Sequence, residues 1–278
     1  FEIADFDGLI TYLDYIMRKN LSLNIIQSLC RADSKEKIDS LEKVQKLLKL
    51  IQPLISDSED AVEEDNYTFE NNQSEVCKMI YIVKTEDPET TFQIYEEFKN
   101  IFINGGEKRK KVTLPALANC IILFCHKLSV AYDNKNDLIS EEMKKNNYVK
   151  ESIGTYDISK LENGEAFYKL MLEVYKLLNE IIALIKENYP ETALKLYLVS
   201  ASQVNSIHSD KKNFEEACLS FMNAAMEIYS EGKYDINNKY FLLSEICGYL
   251  NNFSILSKEN LETIIKTLMD SGTKMTKR

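Results

Sequence analysis

The chain has 278 residues, is 45% hydrophobic and 28% charged, and carries a formal net charge of −10. That much apolar material can build a large core and excludes a disordered or fibrous chain. The negative balance excludes the basic surface that nucleic-acid binding by counterion release requires, and it disfavours an anionic membrane face. With only 8 Gly and 4 Pro and no sustained alternation of apolar and polar residues, the predicted class is all-α. The longest uninterrupted apolar run, Cys120 to Cys125, is six residues, against the ~20 needed to span a bilayer. FEIADFDG at the start has no cationic or apolar signal region, so a soluble chain is expected. Because it opens on Phe inside a helix-like pattern, it is expected to be a piece of a longer protein. Its six cysteines, Cys30, Cys77, Cys120, Cys125, Cys218 and Cys247, lack framework spacing and point to a reducing, cytosolic setting.

In chain order, Phe6, Leu9, Ile10, Leu13 and Met17 form a first apolar stripe, and Asn20 to Cys30 a second after a tight turn. Ser40 is placed to cap a third helix from Leu41 to about Gln52, ended by Pro53. Residues 56–72 lose periodicity and turn acidic, which predicts a solvated loop, and Val76 to Val83 resumes a helix. Asp87-Pro88-Glu89 is a start signal that combines an N-cap, a first-turn proline and a favourable charge at the dipole. The helix it opens runs through Phe92, Tyr95, Phe98 and Phe102 to a stop at Gly105-Gly106. A basic turn, Glu107 to Lys111, is expected next, with Thr113 as the N-cap of a helix that buries Leu117, Ile121, Phe124 and Leu128. Residues 133–164 are Asn/Lys-rich and predict a long, mobile insertion with one helical turn.

The stretch from Glu165 to His208 organises the remainder. Leu170, Val174, Leu177, Leu178, Ile181 and Ile185, then Leu194, Leu198, Ala201, Val204 and Ile207, recur at helical spacing on either side of Pro190. So short a connection forces the two helices antiparallel and side by side. Asn213 to Ser230, a helix capped by Asp235 and a last helix capped by Ser257 continue the pattern. The whole predicts about ten antiparallel helices in hairpins, spaced near the ~40–47 residues of HEAT-type repeats, stacked because no hairpin alone buries its apolar face. The predicted architecture is a single HEAT-like α-solenoid over residues 1–278, with polar insertions at about 56–72 and 133–164. A globular helical bundle is the competing arrangement.

Several segments carry a further signal: Thr85-Glu86-Asp87-Pro88, Phe102 to Gly106, Val112 to Leu117 (VTLPAL), Ala183 to Lys186, Leu194 to Val199 (LKLYLV) and Phe221 to Tyr229 (FMNAAMEIY). With Leu9 to Tyr15, in this order and spacing, they make the chain resemble the large α-solenoid subunit of retromer, the vacuolar protein sorting-associated protein 35 family. The resemblance implies a fragment from the C-terminal half of that subunit and a non-enzymatic scaffold. In the family this half holds the small subunit with a metallophosphoesterase-like fold, and the complex retrieves cargo from endosomes toward the Golgi. It also implies a cytoplasmic protein, peripheral on the cytosolic face of endosomes through the complex, whose other subunits bind through parts absent here. The alternative of the same class is another HEAT-like carrier or coat adaptor that binds cargo peptides.

No catalytic group, cofactor or metal site is expected. Cys120, Cys125 and His126 diverge on a helix that turns roughly 100° per residue, and His126 and His208 have no third orienting group in the spacing. Gly105-Gly106-Glu107-Lys108 lacks phosphate-loop spacing, and Lys108 to Lys111 reads as a solvated turn. Hairpin phase places Val199, Gln203 and Ser206 on the helix after Pro190, and Tyr240 and Ser244 on the helix after Asp235, off the core stripe. These five residues are the expected partner-binding set.

Overall fold

Short polar side chains start the helices. Asp14, Ser40, Asp65, Asp87 and Asp235 each accept a first-turn backbone N–H, from Met17 (2.8 Å), Lys43 (3.4 Å), Thr68 (3.0 Å), Thr90 (2.9 Å) and Asn238 (2.9 Å). The computed structural model describes residues 8, 10, 12–31, 38–57, 64–153, 155–161, 164–209 and 211–276. Among them the chain is all-α: twelve α-helices, two 3₁₀ turns (Met143–Lys145 and Ser159–Leu161) and one isolated bridge between Ile38 and Val83. The chain forms two compact units, Phe1–Cys120 and Ile121–Arg278.

The first unit holds α1 (Tyr15–Leu29), α2 (Leu41–Leu50), α3 (Gln52–Ile55), α4 (Asn66–Tyr81), α5 (Pro88–Phe102) and the first turns of α6 (Glu107–Lys135). α1 packs on α3 and α4, and α2 on α5. Its core includes Ile26, Leu47, Ile51, Val76, Met79, Ile94, Phe98 and Phe102. The chain break expected between Met17 and Asn20 falls earlier, before the Asp14 cap, and Met17 is exposed on a continuous helix. Phe6 and Leu9 lie outside the described residues. Pro53 does not simply end a helix; it sits in the first turn of the short α3.

Two further expectations in this unit are corrected. Residues 66–72 of the presumed acidic loop are helical: Asp65 caps α4, Asn72 Nδ2 donates to Glu64 Oε1 at 2.6 Å, and Gln73 Nε2 donates to the Leu54 carbonyl at 2.9 Å. Hydrogen bonds bury these polar side chains, so they leave no apolar stripe. The run Glu107 to Lys111 is no turn either. Gly106, at φ 85°, ends the α5 connection, α6 starts at Glu107, and Pro115 lies inside it. Thr113 is an interior residue whose hydroxyl donates to the Arg109 carbonyl at 2.9 Å. Arg109, read as part of a solvated charge run, is buried. Its Nε donates to the Leu54 carbonyl at 3.1 Å, its Nη1 to Asp57 Oδ1 at 2.5 Å and to the Gly105 carbonyl at 2.9 Å, and its guanidinium lies 5.5 Å from the Phe69 ring centre.

The second unit takes the rest of α6, then α7 (Asn147–Ile153), α8 (Gly164–Lys186), α9 (Pro190–Asn205), α10 (Lys211–Glu231), α11 (Ile236–Leu250) and α12 (Lys258–Thr276). α9 packs against α8 on one side and α10 on the other, the antiparallel hairpin that the Pro190 connection predicts. Aromatic rings fill the seam. Phe214 meets Phe167, Tyr168 and Tyr175 edge-on, and Tyr132 stacks on Phe167. The connection of residues 133–164 is not an unpacked insertion: it buries Ile139, Ser152 and Leu161 and contains α7 and both 3₁₀ turns. α6 is long and apolar enough to cross a membrane by composition, but Leu117, Ile121, Phe124 and Leu128 are all buried within the protein.

Candidate functional site

A helix packed on two sides keeps only a narrow outer stripe. On α9 that stripe runs from the exposed Lys195 through Val199 and Ser202, both half-buried; the C-cap Ser206 is exposed, and its hydroxyl donates to the Gln203 carbonyl at 2.6 Å. The neighbouring α11 has a wider open face: Ile236 is 56% exposed, Tyr240 48% and Phe241 56%, and Ser244 is exposed beside them. The Lys195 ammonium lies 5.4 Å from the Phe241 ring centre and joins the two stripes. Ile236, Tyr240 and Phe241 are thus large apolar side chains left exposed along one helix, with the α9 lysine over one of their rings.

Of the five residues placed by hairpin phase, Tyr240 and Ser244 are exposed on α11 and Val199 is half-buried on α9, while Ser206, the exposed C-cap of α9, borders a cavity with His126 and His208. Gln203 is not on the open side. It is buried at 7% exposure, and its Oε1 accepts the Tyr175 hydroxyl at 2.9 Å. The physical reason is that this hydrogen bond to α8 buries a polar side chain at a position that apolar phase alone left open. Lys195, Ile236 and Phe241 were missed. The available signal was that Phe241 falls outside the Leu242, Ile246, Leu250 spacing.

Polar groups elsewhere in this unit are committed to holding loops. Asp133 is buried, and its oxygens accept the His208 and Ser209 N–H groups at 3.0 and 3.1 Å. Asn205 staples the loop before α12: Nδ2 donates to the Asn252 carbonyl at 2.9 Å, while Oδ1 accepts the Ser254 and Ile255 N–H groups at 2.7 and 3.0 Å. Among the described residues, no group of three or more His, Cys, Asp or Glu is placed to hold a metal ion. Burial pushes the Cys120 thiol up to about 12 and raises that of Cys125 as well, while burial and then Lys127 lower the His126 pKa. These shifts describe packed side chains.

Helical hairpins packed side by side, with an open stripe on α9 and α11, define a helical-repeat protein of the α-solenoid class. A profile of the family described as vacuolar protein sorting-associated protein 35 matches residues 1–278. The chain belongs to that family. It is 25% identical over 280 residues to vacuolar protein sorting-associated protein 35A of Arabidopsis thaliana, covering 100% of this chain and 31% of that relative. It is 23% identical over 265 residues to protein 35B of the same plant, covering 94% of this chain and 29% of the relative. A Dictyostelium discoideum relative, vacuolar protein sorting-associated protein 35, is 29% identical over 136 residues, covering 48% of this chain and 17% of its own length. The chain thus spans about a third of the length of the first of these curated relatives.

Proposed function

We propose that this chain is a non-enzymatic scaffold segment of a retromer-type coat, and that it holds the small retromer subunit with the metallophosphoesterase-like fold. The family match over the whole chain carries the reading. The open face of Tyr240, Phe241 and Ser244, with Val199 half-buried on α9, supports it, because a hairpin layer presenting exposed aromatics is suited to another folded protein. A complete interface of this kind buries about 1,600 Å² or more. The scaffold acts on the cytosolic face of endosomes, in retrograde transport of cargo toward the Golgi, and reaches the membrane through the complex.

Calorimetric titration with the metallophosphoesterase-fold subunit from the same source, at low and moderate salt, tests the proposal. Binding at a Kd of about 1 µM or tighter that weakens with Tyr240→Asp supports it. Binding unaffected by that variant moves the contact off α11. No binding either to this chain or to a full-length chain overturns the partner.

A further inference from the structure

The connection from α6 to α8 covers a cavity of about 320 Å³ in the second unit. Residues 136–153 of that connection carry the Tyr148 ring, stacked on the His126 imidazole of α6 at 5.4 Å between centroids and 23° between planes. The same residues bury Ile139 and Ser152, and farther on the Tyr156 ring meets Phe124 edge-on at 5.3 Å. The two histidines of the chain, His126 and His208, both border the cavity.

We propose that residues 136–153 form a pH-sensitive strap, docked on α6 while His126 is neutral and released when His126 takes up a proton.

The surroundings of His126 carry the argument. From the strap, the side chains facing the cavity are Ile139, Met143 and Val149, none of which ionises. Beyond α9 stands His208, and from the loop before α12 the uncharged Ser254. On α6 the charged neighbours are Lys127, adjacent in sequence, and Asp133, whose two oxygens already accept backbone N–H groups. An imidazolium at position 126 would therefore be half-buried next to an ammonium, with no carboxylate free to pair with it among the side chains lining the cavity. The Tyr148 ring face is the contact that would offset it.

Burial first and Lys127 second depress the His126 pKa in the docked state. Released, the imidazole returns toward its ordinary value of about 6.5. The released form therefore holds the proton more tightly. Docking is at full strength above about pH 6.5 and weakens as pH falls through the docked pKa.

Hydrogen exchange followed by mass spectrometry on the whole chain, corrected for intrinsic exchange, tests the strap at pH 7.5 and 5.5. The expected result is a measurable loss of protection over residues 136–153 at the lower pH, at most about tenfold for a released pKa of about 6.5, with α8 unchanged. His126→Phe retains a ring for the stack but cannot ionise, and it should hold the strap at both pH values. If that variant perturbs folding, His126→Gln, neutral throughout, should show the same pH independence. Tyr148→Ala should leave the strap unprotected at both. Equal protection of the wild type at both pH values, an undiminished pH effect in the non-ionising variants, or a protected strap in Tyr148→Ala overturns the proposal.

Discussion

The Tyr175 hydroxyl on α8 donates to Gln203 Oε1 on α9 at 2.9 Å, and both residues are buried. Burial also holds the Tyr175 pKa well above its ordinary value, so this pair is a neutral polar link inside an apolar seam. Gln203 Nε2 is buried without a partner among the described residues. Tyr175→Phe should destabilise the chain by about 1–2 kcal/mol, because it leaves the amide oxygen unpaired. Gln203→Asp should be worse, about 3 kcal/mol or more, because it buries an uncompensated charge. Gln203→Leu in the Tyr175→Phe background should recover most of the loss. Urea unfolding midpoints with an unchanged slope measure all three.

Arg109 gives a second stability prediction. Arg109→Met keeps the stem but removes the donor from the buried Gly105 carbonyl and the cation over Phe69. A loss of about 2 kcal/mol is expected. Asp57 is 75% exposed at its side chain, so Asp57→Asn should change stability by less than about 1 kcal/mol. Equal effects from the two variants would mean that the ion pair, rather than the carbonyl contacts, is what Arg109 supplies.

The open face and the core should separate cleanly by mutation. Leu194 is fully buried, and Leu194→Asp should unfold its hairpin, visible as lost helicity and a lowered Tm. Phe241→Asp, on the exposed side of α11, should leave circular dichroism and Tm unchanged while weakening the partner titration. A folded Leu194→Asp would contradict the helix phase observed here.

Thiol chemistry reports the packing independently. Burial raises the Cys77, Cys120 and Cys218 thiols to about 12, and Cys125 is fully buried. Cys247 is exposed and Cys30 half-buried. Alkylation of the native chain at pH 8 should modify Cys247 first and Cys30 more slowly, with the other four reacting only on unfolding. Peptide mapping decides the order.

The helices that announce themselves locally were legible in the sequence: Asp87-Pro88, Asp235 and the Pro190 hairpin combine a cap or a proline with an apolar stripe. What escaped is polar matter that the fold buries. The first turns of α4 read as loop because Asn72 and Gln73 enter the interior through hydrogen bonds rather than hydrophobicity. Arg109 read as solvent-facing because nothing in KRKK tells which cation will find carbonyls at the end of another helix. Thr113-Leu114-Pro115 read as a helix start because a cap and a proline stand together there, whereas the left-handed Gly106 sets the start at Glu107 and leaves Pro115 inside the helix. On the candidate face, α11 was found because it is covered on fewer sides. Gln203 was misplaced because it is buried against α8 through the Tyr175 hydroxyl, and a polar side chain buried by a hydrogen bond leaves no mark in apolar periodicity.

Asn205 makes this unit vulnerable to chemical ageing. Its side chain reads one carbonyl and two N–H groups of the loop before α12 at once, using both the donor and the acceptor end of the carboxamide, whereas a carboxylate only accepts. Deamidation to aspartate would retain the two accepted bonds but turn the donor into a second anionic oxygen against the Asn252 carbonyl. A single hydrolytic event, invisible to composition and adding one mass unit of about 1 Da, would therefore loosen the anchorage of the last hairpin with every contact in the apolar seam still in place.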